Sequence, residues 1–276
     1  VIKTAEPDLV FHLAAQPLVR LSYTQPRETY ETNVMGTVNV LEAARHTPSV
    51  KGILNITSDK CYENREWVWG YRENDPMGGH DPYSSSKGCS ELVTAAYIRS
   101  FCQKDAAPSL ASVRAGNVIG GGDWAQDRLI PDCIRSLIQC KTIDIRNPHA
   151  IRPWQHVLEP LSGYLLLAQK MLEKPHHYDG AWNFGPGPEA VLTVGEVADM
   201  VIRHWGKGDW QSLSPKEQFH EANLLALDTS KARMKLGWKP RWETEDAVKK
   251  TIEWYKKWQC GDNLYDENIR EIKEYV

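Results

Sequence analysis

Residues 52–60 have the sequence Gly52-Ile53-Leu54-Asn55-Ile56-Thr57-Ser58-Asp59-Lys60, a short and mostly apolar run that ends in polar residues. The run shows no regular alternation of apolar and polar positions, which is typical of a strand buried on both faces of a parallel sheet. Similar runs occupy residues 9–14 (Leu-Val-Phe-His-Leu-Ala) and 110–114 (Leu-Ala-Ser-Val-Arg). We therefore expect three strands of one open parallel sheet.

Helical patterns lie between the predicted strands. The first covers Pro26 to Arg45 and the second covers Tyr83 to Lys104. The first helix repeats apolar residues every three or four positions, at Val34, Val38, Leu41 and Ala44. Strands that alternate with helices at this spacing predict βαβ units, and so an α/β fold with a Rossmann-like, doubly wound parallel sheet.

The second half of the chain is less regular and predicts a smaller α/β domain. A capping box of Thr193 and Glu196 marks the start of a helix that continues to about Trp205. Further helices are predicted over 129–139, 157–172 and 247–258, with a short strand over 181–185. We expect a first domain of residues 1–125 and 151–187 and a second of residues 126–150 and 188–276.

A glycine-rich turn that would cradle a pyrophosphate is absent from the sequence. Open sheets of this class normally begin with a strand, such a turn and a helix. Here Val1 to Glu6 has the pattern of a helix end that leads directly into the strand at Leu9. The pattern predicts that the first two βα units are missing, roughly 70 residues at about 30 residues per unit. An inactive fragment that cannot hold a dinucleotide is one functional alternative.

Composition excludes several classes of protein. The 276 residues carry 33 basic and 36 acidic side chains, a net charge of −3, without a basic stripe, which argues against binding to long nucleic acids. No apolar run reaches about 18 residues and no signal peptide precedes Leu9, so neither a membrane span nor secretion is predicted. The six cysteines form no CxxC pair, which predicts reduced thiols, no metal site and a cytoplasmic location.

The sharpest chemical feature is Tyr83-Ser84-Ser85-Ser86-Lys87. Positions i and i+4 share one face of a helix, so the phenol and the ammonium would lie side by side. The cation would lower the pKa of the Tyr83 phenol and allow it to take a proton from a sugar hydroxyl. A surface Tyr and Lys at a helix start is the alternative interpretation.

Polar residues also end two of the predicted strands. Ser58-Asp59-Lys60 follows one strand and Arg114-Ala115-Gly116-Asn117 follows the next. The carboxyl ends of parallel strands are where open sheets bind their ligands. Ser58 could bond a substrate hydroxyl, Asp59 could protonate a leaving oxygen, and Lys60 could act as a base or stabilise charge. A solvated strand end is the alternative interpretation.

These residues resemble the extended short-chain dehydrogenase/reductase family. The similar segments are His12 to Gln16, Glu31 to Thr37, the Tyr83/Lys87 pair, and Arg114 to Gly120. The resemblance implies that the first domain binds NAD and the second binds a sugar nucleotide. It implies cofactor contacts from Leu13, Ala14, Ala15, Gln16, Asn33, Thr57, Tyr83, Lys87 and Arg114.

Within that family, the segments 56–64 and 152–160 are similar to the 4,6-dehydratases that act on CDP-glucose. Related dehydratases usually carry Asp-Glu where this chain has Asp59-Lys60. The resemblance implies a hydro-lyase with Tyr83, Lys87, Ser58, Asp59 and Lys60 as catalytic residues. Lys60 is either the base that removes the C5 proton or a stabiliser of the enolate. The product would be an early intermediate toward the 3,6-dideoxy sugars of bacterial surface polysaccharides such as O-antigen.

The resemblance also implies substrate contacts and a mode of assembly. The substrate residues are Asn117, Arg128, Leu129, Arg152 and Gln155. Arg152 suits a diphosphate, because a guanidinium makes forked contacts with phosphate oxygens. Helices 26–45 and 83–104 would pair two subunits into a homodimer or homotetramer. An epimerase, or a dehydratase of another nucleotide sugar, remains an alternative function.

Overall fold

The structure is a computed structural model that describes residues 1–103, 107–187, 190–213 and 224–276. Its strands, numbered in chain order, are β1 (Leu9–His12), β2 (Gly52–Ile56), β3 (Ser109–Ala115), β4 (Asn117–Ile119), β5 (Ile143–Ile145), β6 (Ile151–His156), β7 (Gly180–Phe184), β8 (Val191–Thr193) and β9 (Trp210–Ser212). Its α-helices are α1 (Ile2–Ala5), α2 (Val19–Thr24), α3 (Pro26–Tyr30), α4 (Gly36–Arg45), α5 (Pro82–Phe101), α6 (Leu129–Ile138), α7 (Leu158–Glu173), α8 (Val194–Trp205), α9 (Ser230–Leu236), α10 (Thr244–Cys260) and α11 (Leu264–Tyr275).

The main sheet has the order β1-β2-β3-β7, and all of its neighbouring strands are parallel. The three strands expected from the apolar runs lie side by side, with Leu9 opposite Gly52 and Gly52 opposite Ser109. Their carboxyl ends therefore meet at one edge of the sheet. The predicted Rossmann-like α/β class is confirmed.

The predicted helix over 26–45 is present but interrupted. A π-helix, Glu31–Met35, joins α3 to α4, and Asn33 lies within it. The buried face carries Asn33 and Thr37, whereas Val34 and Val38 are only half-buried, so the predicted apolar face is partly wrong. Single-turn π segments re-aim side chains and are frequent at functional sites.

Helix α5 buries a polar face. Ser86 and Ser90 on this helix are buried and bond Asn33 and Asn55, each at 2.8 to 2.9 Å. Leu92, by contrast, is 59% exposed. The predicted last residue of this helix, Lys104, lies outside the described residues.

The described residues divide into two units. The first comprises 1–115, 162–184 and 226–239, and the second comprises 116–161, 185–225 and 240–276. Residues 116–125 and 151–161 were predicted to lie in the first domain but belong to the second unit, because β4 pairs with β6 in one sheet. Residues 226–239 were predicted to lie in the second domain but belong to the first unit, where Asp228 N donates to the carbonyl of Tyr71 at 2.9 Å.

The second unit has its own core. Buried side chains of α6, α8 and α10 pack together, among them Ile134, Val201 and Ile252. The predicted capping box at Thr193 and Glu196 is present. Helices α9 and α11 were missed by the sequence patterns. Among the described residues, no helix combines the length and apolar character needed to cross a membrane.

Candidate active site

The turn after β2 carries the predicted polar triplet. Ser58 caps a single 3₁₀ turn, Asp59–Cys61, because its hydroxyl accepts a hydrogen bond from Lys60 N at 3.3 Å. The same hydroxyl donates to Asp59 Oδ1 at 2.9 Å. This local hydrogen bonding gives the carboxylate of Asp59 a defined direction.

Asp59 is fully buried, at 0% exposure, yet its Oδ2 atom has no hydrogen-bond partner among the described residues. Lys60 Nζ lies 3.5 Å from the other carboxylate oxygen, Oδ1, and the Lys60 side chain is half-buried. A buried polar atom without a partner is costly, so the free oxygen marks a position for a hydrogen-bonding ligand.

The start of α5 carries the predicted Tyr/Lys pair. Asp81 caps the helix by accepting from Ser84 N at 2.9 Å, and Pro82 occupies the first turn. Tyr83 and Lys87 follow at i and i+4, so they share a face, and both are buried. Lys87 Nζ donates to the carbonyl of Ile56, at the end of β2, at 3.2 Å.

Burial lowers the pKa of Lys87 to about 8, although Glu91 and Cys61 oppose this shift. Burial, together with the charge on Lys87, also lowers the pKa of His12 at the end of β1. The ammonium of Lys87 is therefore poised to titrate near neutral pH, which suits a residue that assists proton transfer.

The segment after β1 is held by Asn33. Gln16 N donates to Asn33 Oδ1 at 2.8 Å, and Asn33 Nδ2 donates to the carbonyl of Gln16 and to Ser86 Oγ. Leu13 and Ala14, which follow β1 directly, are exposed. Asn33 thus supports the segment while its own amide is used within the protein.

Arg114 and Thr57 also use their polar groups internally. Both bond the buried carboxylate of Glu91 on α5. Arg114 Nη1 donates in addition to Tyr62 Oη at 2.6 Å. The structure therefore places the polar groups of Thr57 and Arg114 in hydrogen bonds within the protein, and their cofactor contacts stay predictions. Sequence reasoning missed Glu91, although its position four residues after Lys87 was a usable signal.

The predicted substrate residues lie in the second unit. Asn117 and Gln155 lie on the paired strands β4 and β6, and Asn117 Oδ1 is buried without a partner among the described residues. Arg128 precedes α6 and donates to Asp123 at 2.8 Å, and Leu129 is the first residue of that helix. Arg152 Nη1 donates to the carbonyl of Ile151 at 2.9 Å.

The predicted absence of a metal site concerns the His, Cys, Asp and Glu side chains. Within the part of the chain that the structure describes, no group of three or more of these side chains could hold a metal ion. His176, from the adjacent histidines 176 and 177, instead bonds Asp179 at 3.0 Å.

A parallel sheet whose carboxyl edge meets a Tyr-x-x-x-Lys helix defines a Rossmann-like α/β protein of the short-chain dehydrogenase type. The GDP-mannose 4,6-dehydratase family model matches residues 1–251. The chain is 53% identical over 275 residues to the CDP-glucose 4,6-dehydratase of Salmonella typhimurium, and the matched region covers 98% of this chain and 77% of that protein. It is 26% identical over 268 residues to the dTDP-glucose 4,6-dehydratase of Shigella flexneri, covering 91% and 73%.

The chain therefore belongs to the GDP-mannose 4,6-dehydratase family. The predicted resemblance to dehydratases that act on CDP-glucose is confirmed by the identity to the Salmonella protein. The fold is similar to that of a DesIV double mutant, a dTDP-glucose 4,6-dehydratase of Streptomyces venezuelae, in a crystal structure with NAD bound. Its TM-score is 0.80 at 22% identity, over 92% of this chain and 75% of that one.

Proposed function

We propose that this protein is an NAD-dependent hydro-lyase that converts CDP-glucose to CDP-4-keto-6-deoxyglucose. The observation that carries the proposal is the buried set of Tyr83, Lys87 and Asp59 at the carboxyl ends of parallel strands. The CDP-glucose specificity is supported by 53% identity to the Salmonella enzyme of that name.

Tyr83 is the base for the 4-hydroxyl of the sugar. Lys87 lies on the same face of α5 and, while charged, stabilises the phenolate electrostatically. Its bond to the Ile56 carbonyl fixes the ammonium beside the end of β2. The charged Lys87 therefore lowers the barrier for proton removal by Tyr83.

Asp59 protonates the 6-hydroxyl as water leaves. Its Oδ2 atom has the free hydrogen-bonding capacity that contact with a substrate hydroxyl requires. Lys60 removes the C5 proton or stabilises the enolate, and Ser58 orients Asp59. The atoms balance: C4 is oxidised by loss of a hydride, and water leaves across C5 and C6. The hydride is then added at C6 and a proton from solvent is added at C5, so the net change is the loss of one water.

Bound NAD would supply the hydride chemistry, oxidation at C4 and reduction at C6. The residues present fit its nicotinamide end: a buried ammonium at Lys87, the phenol of Tyr83, and the exposed backbone after β1 at Leu13 and Ala14. Asn33 would keep that backbone in position through its two bonds to Gln16.

The second unit supplies candidate contacts to the nucleotide. Arg128 and Arg152 carry guanidinium groups suited to a diphosphate, and Asn117 has a buried amide oxygen without a partner among the described residues. We assign these residues, with Leu129 and Gln155, to substrate binding on the strength of the family resemblance.

The test is conversion of CDP-glucose in deuterated water, with NAD, followed by NMR. We expect a new C6 methyl signal and deuterium at C5, with slower conversion of dTDP-glucose and GDP-mannose. Calorimetry should show one saturable NAD site in the presence of CDP-glucose. A folded protein that neither binds NAD nor forms the methyl group would refute the proposal.

Asp59→Asn separates dehydration from epimerisation, because an epimerase needs no acid for the 6-hydroxyl. We expect Asp59→Asn to lose a factor of about 10² to 10⁴ in dehydration rate while still binding CDP-glucose. The exposed carboxylate of Glu63, changed to Gln, is the matched control and should retain full activity. An Asp59→Asn protein as active as the parent would favour an epimerase.

We also propose a dimer formed through the helices of residues 26–45 and α5. Large apolar side chains on these helices are exposed, including Met35, Leu92 and Phe101. By sedimentation, Leu92→Glu should reduce the parent dimer to a monomer. Met234→Glu, on the 85% exposed Met234 of α9, should not. A monomeric parent protein would contradict this assembly.

We propose a cytoplasmic location, since all six cysteines are free thiols, which a reducing compartment maintains. We further propose that the keto-sugar product supplies the assembly of surface polysaccharides such as O-antigen. Fractionation of the source cells tests the first point, and loss of deoxy sugars from the cell surface on deletion tests the second.

A further inference from the structure

A single buried ion pair connects α5 to β3. Arg114 Nε and Nη2 donate to the two oxygens of Glu91 at 2.9 and 2.8 Å. Both side chains are almost fully buried. Burial alone would raise the pKa of Glu91, but Arg114 and hydrogen-bonding neighbours hold it below its ordinary value, so the carboxylate stays charged.

Glu91 reaches the start of the active-site turn. Its carboxylate also accepts hydrogen bonds from Thr57 Oγ1 and from Ser112 Oγ, the latter at 2.6 Å. Thr57 directly precedes Ser58, the first residue of the polar triplet. The four bonds fill the acceptor positions of the carboxylate, so its geometry is over-determined.

Arg114 reaches the end of the same turn. Its Nη1 donates to Tyr62 Oη at 2.6 Å and to the carbonyl of Glu73 at 3.0 Å. Tyr62 Oη donates onward to Asn183 Oδ1 at 2.8 Å. Residues 58–61 are thus anchored at both ends, through Thr57 and Tyr62, by one ion pair.

The Glu91 side of the ion pair lies on the same face of α5 as Tyr83 and Lys87. Glu91 follows Tyr83 by eight residues and Lys87 by four, so all three lie on one face of α5. A buried ion pair contributes little to stability compared with well-packed apolar residues. Stability therefore does not account for an arrangement that joins the helix to both ends of the turn.

We propose that Glu91 and Arg114 are positioning residues, which together hold the Ser58–Lys60 turn in a defined position relative to Tyr83 and Lys87. This inference rests on the proposed dehydratase function. Neither residue contacts the reacting atoms in this account. Each acts through the hydrogen bonds to Thr57 and Tyr62.

The charge of Glu91 has a second effect, on Lys87. The titratable groups that act on Lys87 include Glu91 on α5, Cys61 in the turn and His12 at the end of β1, and the Tyr83 phenol lies on the same helix face. Glu91 raises the pKa of Lys87 against the effect of burial. Without this carboxylate the pKa of Lys87 would be lower still, so Lys87 would lose its proton at lower pH.

The experiment compares four variants, of which Glu91→Asp conserves the charge, with a matched control. Thr57→Val and Tyr62→Phe each remove one anchor and keep the ion pair, whereas Glu91→Gln removes the charge. Thr94→Val is the control, because the buried Thr94 accepts a hydrogen bond from Asn55 on β2, at 2.8 Å, without touching the turn.

We expect Thr57→Val and Tyr62→Phe to lower kcat about tenfold to a hundredfold with little change in KM, because small misplacements of reacting groups are costly. Their pH profiles should match that of the parent. Glu91→Gln should also move the alkaline limb of kcat/KM to lower pH, and Glu91→Asp should restore it. Thr94→Val should retain the parent kcat.

Hydrogen exchange of residues 57–63, measured without substrate or NAD, gives a readout independent of activity. We expect exchange at least about tenfold faster in Thr57→Val and Tyr62→Phe than in Thr94→Val. If Thr57→Val and Tyr62→Phe match Thr94→Val in both kcat and exchange, the positioning role is wrong, even if Glu91→Gln fails to fold. An inactive parent protein would instead refute the proposed function alone.

Discussion

The buried ammonium of Lys87 is expected to destabilise the folded protein. Its pKa falls from 10.5 to about 8 on burial, which corresponds to about 3 kcal/mol against the charged form in the folded state. Lys87→Met removes that cost but also removes the bond to the Ile56 carbonyl, which contributes about 1 kcal/mol. We expect Lys87→Met to be about 2 kcal/mol more stable than the parent at pH 7.

The gain in stability should depend on pH in one direction. Below pH 8 the lysine is charged in both the folded and the unfolded states, so the full cost is present. Between pH 8 and 10.5 the folded protein releases the proton while the unfolded chain keeps it, so the parent becomes more stable as the pH rises. The advantage of Lys87→Met should therefore vanish across this interval.

Urea unfolding of both proteins at several values between pH 6 and 10.5 measures the difference in the free energy of unfolding, in which titrating groups that do not act on Lys87 cancel. Lys256→Met, at an exposed position of α10, is the control and should change the free energy of unfolding by less than about 0.5 kcal/mol at every pH. Activity should be lost only in Lys87→Met. A difference that is zero at pH 7, or constant with pH, would refute the reasoning.

Three further outcomes are expected. Glu159→Ala should lower the free energy of unfolding, measured by urea titration, by about 3 kcal/mol. The reason is that the buried carboxylate accepts hydrogen bonds from the backbone N–H groups of Arg241 and Trp242 and from Tyr275 Oη. An unchanged urea midpoint would contradict this prediction. Thr193→Ala should cost about 1 kcal/mol by removing the capping box of α8, whereas Thr193→Ser should cost less. Asn33→Ala should weaken NAD binding measured by calorimetry, because the backbone N–H and carbonyl of Gln16 lose their hydrogen bonds to the Asn33 side-chain amide. Equal affinity would show that NAD binding does not depend on these two bonds.

The polar side of α5 shows where sequence patterns stop being informative. Apolar periodicity predicts the buried face of a helix, yet α5 buries Ser86, Ser90 and Thr94 and exposes Leu92. Each buried hydroxyl is satisfied by a partner distant in sequence, such as Asn33 or Asn55. Such pairs become visible only once the chain is folded.

The prediction of the domain boundaries from the sequence was limited in the same way. Residues 226–239 join the first unit through backbone hydrogen bonds of Tyr71 with Asp228 and Ala226, which are far from Tyr71 along the chain. No local composition change marks that return.

The sequence by itself determined the parallel α/β class, the shared face of Tyr83 and Lys87, and the position of Ser58-Asp59-Lys60 at a strand end. These properties depend on residues within a few positions of one another, through strand burial and the helical repeat. Only the tertiary structure decided that Arg114 bonds Tyr62 at the end of the turn and that Glu91 receives four hydrogen bonds. It also decided that a buried oxygen of Asp59 has no partner among the residues that the structure describes. A polar side chain takes its role from the partners that folding brings within about 3 Å, and chain-local patterns do not contain them.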